Sequence, residues 1–294
     1  MEIEDQQMVE DSNENLHLII NTDAYPIHDF ESKIRKDLIA QISLELEEKG
    51  CARIPNFIRN ELIQEMVDEA KNLHDQAFWP TEKQNPYASP RDESFNAEHP
   101  RNFYTLRTNG FIASDLLPEN SPLNRMYELD ILTRFVREAL RTGKPLYRYA
   151  DPIARNPYSV MEPGQDFPWH FDGNEFSISV LVQKAEKGGI FEYVPNIRRP
   201  GEENYENVKE VLNGDRTRVV SLDLEPGDLQ IFKGRYSMHR VSRIGGSRSR
   251  YIGIPSYTHD PYRMNRPHHS MTYYGRSTAL HEQRELISVD GLTD

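Results

Sequence analysis

Residues 169–183 read WHFDGNEFSISVLVQ, and this stretch has the clearest pattern in the chain. In its second half, apolar residues take every second position from Phe176 to Val182. Such alternation is typical of a strand that has one face in the core. A shorter run, Pro168–Asp172, precedes it, and polar residues with Gly173 lie between the two. The stretch therefore predicts two short strands joined by a turn.

Similar runs, rich in β-branched and aromatic residues, fill the chain after about Gly143 and are separated by Gly, Pro, Asp and Asn. Eight short strands with turn signals between them predict an antiparallel sandwich or barrel, such as a double-stranded β-helix, also called a jelly roll. The predicted strands are Asn156–Glu162, Pro168–Asp172, Phe176–Gln183, Gly189–Pro195, Arg218–Leu224, Asp228–Lys233, Ser237–Arg243 and Arg250–Thr258.

The first half of the chain has helical periodicity instead. Apolar residues recur at helical spacing from Phe30, and Gly50 provides a C-terminal stop. Two further helices are predicted over about Asn60–Ala77 and Ser121–Leu140. The predicted fold class is therefore mainly β with helices (α+β), with the N-terminal helices packed on one outer sheet.

The domain organisation follows from these changes in pattern. Residues 1–16 are polar and acidic and predict a flexible tail, while residues 17–294 are predicted to form a single domain. A polar, Pro-rich stretch, Trp79–Pro100, has no periodicity and is predicted to be a loop of the length that often covers a site. The predicted parts of the domain are a helical part at about 28–143, a jelly-roll core at about 144–260 and a C-terminal extension, 261–294.

Composition excludes several classes of protein. The chain has 294 residues, with 47 acidic and 35 basic side chains and a formal net charge of −12, which argues against a nucleic-acid partner. A single Cys cannot form an internal disulfide, so a disulfide-stapled scaffold is excluded. No apolar run is long enough for a membrane span, and the N-terminal residues lack the pattern of a signal peptide. We expect a soluble cytoplasmic protein.

A metal site is predicted from His170 and Asp172. In a strand, residues i and i+2 point to the same face, so both side chains can reach one point. His239, in the seventh predicted strand, supplies a third ligand, and two His with one carboxylate leave three positions open on a metal, as in non-haem Fe(II) oxygenases. A His-x-Asp triplet alone also fits a hydrogen-bonded pair inside a sheet. The place of all three residues within the run of strands favours the metal.

A carboxylate-binding cation is predicted at the start of the last strand. Arg250 adjoins the apolar run YIGIPSY, and its planar guanidinium can bind a carboxylate through two parallel hydrogen bonds. A 2-oxo acid that chelates the metal would project its distal carboxylate toward such a group. Arg248 has the same strand parity but lies nearer a Gly-Gly turn, so both remain candidates for this role.

These residues together resemble the Fe(II)- and 2-oxoglutarate-dependent dioxygenases, in the order His-x-Asp, distal His, Arg. The phrases GGIFEYVPNIR, LEPGDLQIFKGRYSMHRV and LYRYADP resemble the branch that acts on free amino acids and related small metabolites, which also contains lysine-type radical halogenases. The resemblance implies that His170, Asp172 and His239 hold Fe(II), that 2-oxoglutarate and O2 are cosubstrates, and that succinate and CO2 are released.

The resemblance also separates two chemistries. In the halogenases, Gly or Ala replaces the carboxylate of the triplet and opens a site for chloride. Asp172 is present here, so the resemblance implies oxygen chemistry: hydroxylation of an amino acid or amino-acid-derived metabolite, in secondary metabolism. Desaturation or ring closure remains an alternative outcome of the same hydrogen abstraction.

Other residues are candidates for contact with a substrate. The resemblance makes Arg107, in HPRNFYTLRTNG, a candidate for binding a substrate carboxylate, although a solvated loop Arg is an equal alternative. Trp169 is predicted to pack under the metal or to line the pocket. Ser256 and Asn174 complete the predicted substrate-binding set. The adjacent His268 and His269 are predicted to be surface residues, because neighbouring side chains diverge.

Two other classes of function remain open from the sequence. One is a non-catalytic or cupin-like jelly-roll binding protein without a redox metal. The other keeps the oxygenase chemistry but acts on a peptide, since no basic patch favours nucleic acid. The predicted partner is a small molecule, with no nucleic acid and no membrane, and a homodimer is left open.

Overall fold

The computed structural model describes residues 15–285 and 290–293. The predicted tail therefore lies almost entirely outside the described residues, and Leu16 already begins the first helix. Within the described ranges, none of the helices combines the length and the apolar character needed to cross a bilayer.

Before residue 143, helices and short strands follow one another irregularly. After residue 143, most of the elements are strands. The helices are α1 (Leu16–Ile19), α2 (Lys33–Lys49), α3 (Asn60–Asn72), α4 (Pro122–Tyr127), α5 (Asp130–Leu140), α6 (Tyr205–Leu212), α7 (Pro267–Tyr274) and α8 (Ala279–Gln283). The strands are β1 (Cys51–Ile54), β2 (Lys83–Gln84), β3 (Thr105–Leu106), β4 (Gly110–Ile112), β5 (Tyr147–Arg148), β6 (Tyr158–Met161), β7 (Phe167–His170), β8 (Ser177–Gln183), β9 (Phe191–Val194), β10 (Val220–Leu222), β11 (Leu229–Phe232), β12 (Met238–Val241), β13 (Arg250–Gly253) and β14 (Tyr257–Thr258).

Two antiparallel sheets form the jelly roll. The larger sheet has the order β1-β11-β8-β13-β6-β4, and the smaller has the order β10-β9-β12-β7. Each of the eight predicted strands corresponds to an observed one, so the predicted double-stranded β-helix is confirmed. The last predicted strand is divided, because Pro255 has no amide hydrogen for a ladder; β13 stays in the large sheet and β14 pairs with β5.

The main core lies between the large sheet and the helices. Ile178, Val180 and Val182 of β8 are at most 1% exposed and belong to one cluster with helical residues such as Met66 and Phe135. The opposite face of β8 carries Ser177 and Ser179, which line a cavity between the sheets. The period-two alternation in the sequence therefore separates the helix-packed core from the functional side of the sheet.

A stability prediction follows from this packing. Ile178→Ala is expected to lower the free energy of unfolding by about 3 kcal/mol, because it leaves a cavity in a close-packed core. Ile34→Ala, in α2, is the matched control, since Ile34 is 59% exposed and its replacement should change the free energy by less than about 0.5 kcal/mol. Urea unfolding of both variants measures the difference, and equal effects would contradict the assignment of this face to the core.

One predicted helix is divided in two in the structure, and another ends where it was predicted to end. The predicted helix Ser121–Leu140 is two helices, because the Tyr127 and Glu128 carbonyls accept hydrogen bonds of 2.8 and 2.6 Å from the Arg148 guanidinium instead of continuing the helical ladder. The predicted stop after α2 is confirmed, since Gly50 is left-handed with φ 67°. The structure also contains α6, which the sequence analysis did not predict.

Candidate metal centre and active site

Two histidines face each other on neighbouring strands of the small sheet. His170 ends β7 and is paired in register with His239 of β12, and their ring centroids are 4.0 Å apart. The Nδ1 of His170 lies 2.8 Å from the Pro168 carbonyl, and the Nδ1 of His239 lies 3.0 Å from the Ser237 carbonyl. A carbonyl can only accept, so each Nδ1 carries the hydrogen and each Nε2 keeps its lone pair for a metal.

Asp172 completes the cluster. Its Oδ1 lies 3.8 Å from the His170 Nε2 and 3.4 Å from the His239 Nε2. The Ser177 hydroxyl donates a 2.6 Å hydrogen bond to Oδ2, which leaves Oδ1 directed at the two imidazoles. All three ligand atoms lie within 4.8 Å of one another, and no other such group of three occurs in the part of the chain that the structure describes. Two nitrogens and one carboxylate oxygen fit Fe(II).

His170 and Asp172 are held in the protonation states that a metal requires. Burial lowers the pKa of His170 to about 3, with a contribution from the nearby His239, so the His170 ring is neutral at ordinary pH. Burial by itself would raise the pKa of Asp172, but the adjacent His239 and His170 and the Ser177 hydroxyl hold this pKa below its usual range. Neutral imidazoles and an ionised carboxylate are the forms that bind a metal.

Gly234 supports the Asp172 carboxylate from behind. The Asp172 amide donates a 3.1 Å hydrogen bond to the Gly234 carbonyl. A Cβ placed on Gly234 would lie 1.8 Å from the Asp172 Oδ2, which is a severe clash between two non-bonded atoms. The absence of a side chain at position 234 is therefore a condition for the carboxylate to point at the imidazoles.

Gly234→Ala is expected to weaken Fe(II) binding by about 10- to 100-fold, the effect typical of a disturbed ligand-orienting contact. The matched control is Gly245→Ala, because a Cβ on Gly245 meets only the Lys187 Cβ, at an ordinary 3.6 Å. Titration of both variants with Fe(II) under nitrogen measures the affinities. A Gly234→Ala protein that binds iron as tightly as the Gly245→Ala protein would contradict this steric role.

His170, Asp172 and His239 lie in a cavity of about 210 Å³ between the two sheets. Aromatic, aliphatic and polar side chains all line it, and they come from strands of both sheets, from the turn after β7 and from the segment after β14. Residues lining it include Tyr87, Ala88, Phe111, Tyr149, Phe167, Asn174, Ser177, Ser179, Arg250, Ile252, Ser256, Arg263, Asn265, Arg266, His269 and Tyr273.

The two arginines that are candidates for binding 2-oxoglutarate differ in burial and in position. Arg250 lines the cavity and is only 3% exposed, whereas Arg248 lies on the exposed turn before β13 and is absent from the lining. Among the described residues, no side chain or carbonyl accepts a hydrogen bond from the Arg250 guanidinium. Burial lowers the pKa of Arg250 to about 10, so it stays protonated. A buried cation that faces a cavity in this way calls for an anionic ligand.

The four residues predicted to contact substrate fall into two groups. Asn174 and Ser256 line the cavity. Trp169 does not, because strand alternation turns it away from His170; it packs beneath the Arg240 guanidinium, 4.9 Å away. The prediction that Trp169 faces the pocket is therefore corrected.

Arg107 was predicted to contact the substrate, but it does not line the cavity. It lies behind the residues that form the cavity wall. It is 1% exposed, and its guanidinium lies 4.5 Å from the ring of Tyr273 and 5.8 Å from the ring of Phe167, both of which line the cavity. Its Nη2 donates a 3.0 Å hydrogen bond to the Thr272 carbonyl. In this structure Arg107 supports the aromatic wall rather than forming it.

Several residues that line the cavity were not predicted to do so. His269 was expected at the surface with His268, but only His268 is exposed, and His269 lines the cavity. Residues 263–274 form part of the wall although they have no strand pattern that would indicate it. The predicted loop Trp79–Pro100 contains the short strand β2, and its Tyr87 lines the cavity and stacks on Phe171 at 5.3 Å.

Solved structures share this fold. A Trichoplax adhaerens prolyl hydroxylase, in complex with a hypoxia inducible factor peptide fragment, is similar with TM-score 0.52 and 12% identity over 78% of this chain and 94% of that one. The epimerase SnoN from nogalamycin biosynthesis is similar with TM-score 0.52 and 13% identity over 76% and 83%. AviO1 from Streptomyces viridochromogenes Tue57 is similar with TM-score 0.51 and 16% identity over 77% and 96%.

The chain thus has the fold of these solved structures, with a His–Asp–His cluster in the cavity between its sheets. Residues 34–272 match the family model described as Halogenase D, and the chain belongs to that family. No curated protein matches the chain.

Proposed function

We propose that this protein hydroxylates a C–H bond of a small molecule, an amino acid or an amino-acid-derived metabolite, with release of succinate and CO2. The observation that carries the proposal is one cavity in which a buried His–Asp–His cluster and the buried, protonated Arg250 occur together. The cluster would hold a metal, and the arginine would bind the distal carboxylate of a 2-oxo acid.

Each group has a defined task in this reaction. The Nε2 atoms of His170 and His239 and the Oδ1 of Asp172 would hold Fe(II), which when bound supplies the activation of O2 coupled to decarboxylation of 2-oxoglutarate. Arg250 binds the distal carboxylate of 2-oxoglutarate through its planar fork of N–H donors. This contact fixes the cosubstrate in one orientation, so that its keto acid end faces the three ligands.

The rest of the cavity selects and positions the substrate. Phe111, Phe167 and Tyr273 surround part of the cavity with aromatic surface and exclude water from it. Ser256 and Asn174 offer polar contacts within reach of the same space. Because the substrate is held in one pose, a single C–H bond is presented for attack.

Asp172 is the residue that favours oxygen chemistry over halogenation. The family carries the description of a halogenase, but the halogenases that the sequence resembles lack this carboxylate and hold chloride in its place. Here the carboxylate accepts a hydrogen bond from Ser177 and packs against Gly234, so it occupies the position that a halide would need. Desaturation or ring closure uses the same site and stays the second candidate outcome.

The test is a turnover assay with the full chain, Fe(II), ascorbate, 2-oxoglutarate and a panel of amino acids and their derivatives. We expect one group of compounds to trigger succinate formation and to gain one oxygen atom by mass spectrometry. The same assay with added chloride is the control, and it should give the same product. A chlorinated product would contradict the role of Asp172, and a product lacking two hydrogens would identify desaturation or ring closure.

A further inference from the structure

Asp172 is held differently from the other two residues of the metal cluster. His170 and His239 belong to strands that pair with each other, so the ladder of the small sheet fixes both. Strand β7 ends at His170, and Asp172 follows it in a turn that belongs to no strand. Its amide donates a 3.1 Å hydrogen bond to the Gly234 carbonyl. The position of this carboxylate therefore depends on how the turn is held against Gly234.

A buried arginine, Arg235, contacts both parts of this arrangement. It follows Gly234 directly in the chain, and its Nη1 donates a 3.2 Å hydrogen bond to the carbonyl of Gly173, the residue after Asp172. Its side chain is only 3% exposed. One side chain thus joins the two segments whose contact sets the Asp172 carboxylate, so a displaced guanidinium would loosen that contact.

Asp290 holds the Arg235 guanidinium in place. The Nε and Nη2 of Arg235 donate hydrogen bonds of 2.5 and 2.7 Å to the two carboxylate oxygens of Asp290. Two parallel charged hydrogen bonds of this kind fix the plane of a guanidinium. The hydrogen bonds from Arg235 hold the pKa of Asp290 below its usual range, so the carboxylate is ionised at ordinary pH. The remaining nitrogen, Nη1, is then directed at the turn.

A second buried arginine, Arg198, contacts the other neighbour of Asp172. Its guanidinium carbon lies 3.9 Å from the centroid of the Phe171 ring. Its Nε donates a 2.6 Å hydrogen bond to the Arg235 carbonyl, and its Nη1 donates a 3.1 Å hydrogen bond to the Thr293 carbonyl. The two arginines therefore contact the turn on both sides of the metal ligand, and both bind the segment 290–293.

Residues 290–293 are fixed on the protein by contacts of their own. The Gly201 amide donates a 2.8 Å hydrogen bond to the Asp290 carbonyl, and the Leu292 amide donates a 3.2 Å hydrogen bond to the Asp290 carboxylate. The Leu292 side chain is 6% exposed. Asp290 is therefore preorganised to receive the arginine, rather than ordered by it.

We propose that Arg235 and Asp290 are positioning residues for the metal: Asp290 orients Arg235, and Arg235 holds the turn that presents Asp172. Neither side chain lines the cavity, so neither contacts the substrate or the cosubstrate. The inference rests on the proposed function, because it specifies how one ligand of the proposed Fe(II) site is held. Loss of the pair should weaken iron binding although all three ligand atoms remain.

The first measurement is a titration of the full chain with Fe(II) under nitrogen. The variants are Arg235→Gln, Asp290→Asn and their combination. Arg276→Gln and Asp115→Asn are the matched controls, because they remove a pair with two parallel hydrogen bonds of 2.7 and 2.6 Å that lies outside the cavity lining. We expect Arg235→Gln and Asp290→Asn to weaken Fe(II) binding by about 10- to 100-fold and the controls to leave it unchanged. The double variant should lose no more affinity than Arg235→Gln alone, because Asp290 acts through Arg235.

The second measurement is amide hydrogen exchange in the metal-free protein. The Asp172 amide, followed by NMR in protein labelled at aspartate, should exchange about tenfold faster in Asp290→Asn than in Asp115→Asn, because its hydrogen bond to Gly234 opens more often. A pair that only stabilised the fold would lower the melting temperature and leave the iron affinity and this amide as in the control.

Wild-type iron affinity in Arg235→Gln and Asp290→Asn, or additive losses in the double variant, would overturn the proposal. Faster exchange of the Asp172 amide without a change in iron affinity would overturn it as well. Should Arg235→Gln fail to fold, the comparison of Asp290→Asn with Asp115→Asn decides. A wild type that binds no Fe(II) would instead refute the proposed function, and the exchange rates would then decide whether Asp290 positions Asp172.

Discussion

Replacement of His239 by alanine is expected to abolish substrate-dependent succinate formation, with a fall of about a thousandfold or more. His239 lies in register with His170 on the neighbouring strand, and its Nε2 is 3.4 Å from the Asp172 Oδ1. Removing it leaves two ligands on a metal that provides several kcal/mol of catalysis. Asp172→Ala should have the same effect in chloride-free buffer, because the carboxylate supplies one of the three ligand atoms and no halide can then replace it.

The matched control for His239→Ala is His268→Ala, an exposed histidine of the same chain. It should retain wild-type activity and wild-type iron binding. Melting curves of both variants exclude unfolding as the cause of a loss. Turnover that persists in His239→Ala, or in Asp172→Ala without chloride, would show that the iron is bound elsewhere or is not needed.

Replacement of Arg250 by glutamine is expected to raise the KM for 2-oxoglutarate by about 100-fold. The Arg250 guanidinium is 3% exposed and protonated, and bidentate binding of a carboxylate by such a group contributes about 3 kcal/mol. Glutamine keeps much of the bulk but removes the charge and the fork. Steady-state kinetics with varied 2-oxoglutarate at fixed substrate measure the change.

Arg248→Gln is the control for this prediction, because Arg248 lies two residues away on an exposed turn. It should leave the KM for 2-oxoglutarate unchanged. Iron binding should be the same in both variants, since neither residue belongs to the metal cluster. Equal KM values in the two variants would show that Arg250 has another role and that the cosubstrate is bound by a different cation.

The strands and the metal cluster were predictable from the sequence, because both depend on local spacing. Period-two alternation identified β8, and a strand brings residues i and i+2 to one face, which unites His170 with Asp172. The same parity argument placed Arg250 in the cavity. Applied to Trp169, the same parity turns its side chain away from His170, as the structure shows, so its prediction as a pocket residue did not follow from strand spacing.

The parts that could not be predicted depend on contacts between distant segments. Arg148 interrupts the helix at Tyr127 from 21 residues away, and nothing in the helix itself marks that point. His269 and Arg263 reach the cavity because the buried Asp151 holds their segment, a contact across more than 100 residues. Arg107 was a candidate for substrate contact, but three aromatic rings around its guanidinium keep it behind the wall.

The central claim is that His170, Asp172, His239 and Arg250 together form one site for Fe(II) and 2-oxoglutarate. The most direct measurement is an anaerobic titration of the full chain with Fe(II) and then 2-oxoglutarate, followed by visible absorption. We predict a charge-transfer band that appears only when both are present, saturates at one iron per chain, and is absent in His239→Ala. Absence of the band in the wild type, or its persistence in His239→Ala, would contradict the claim.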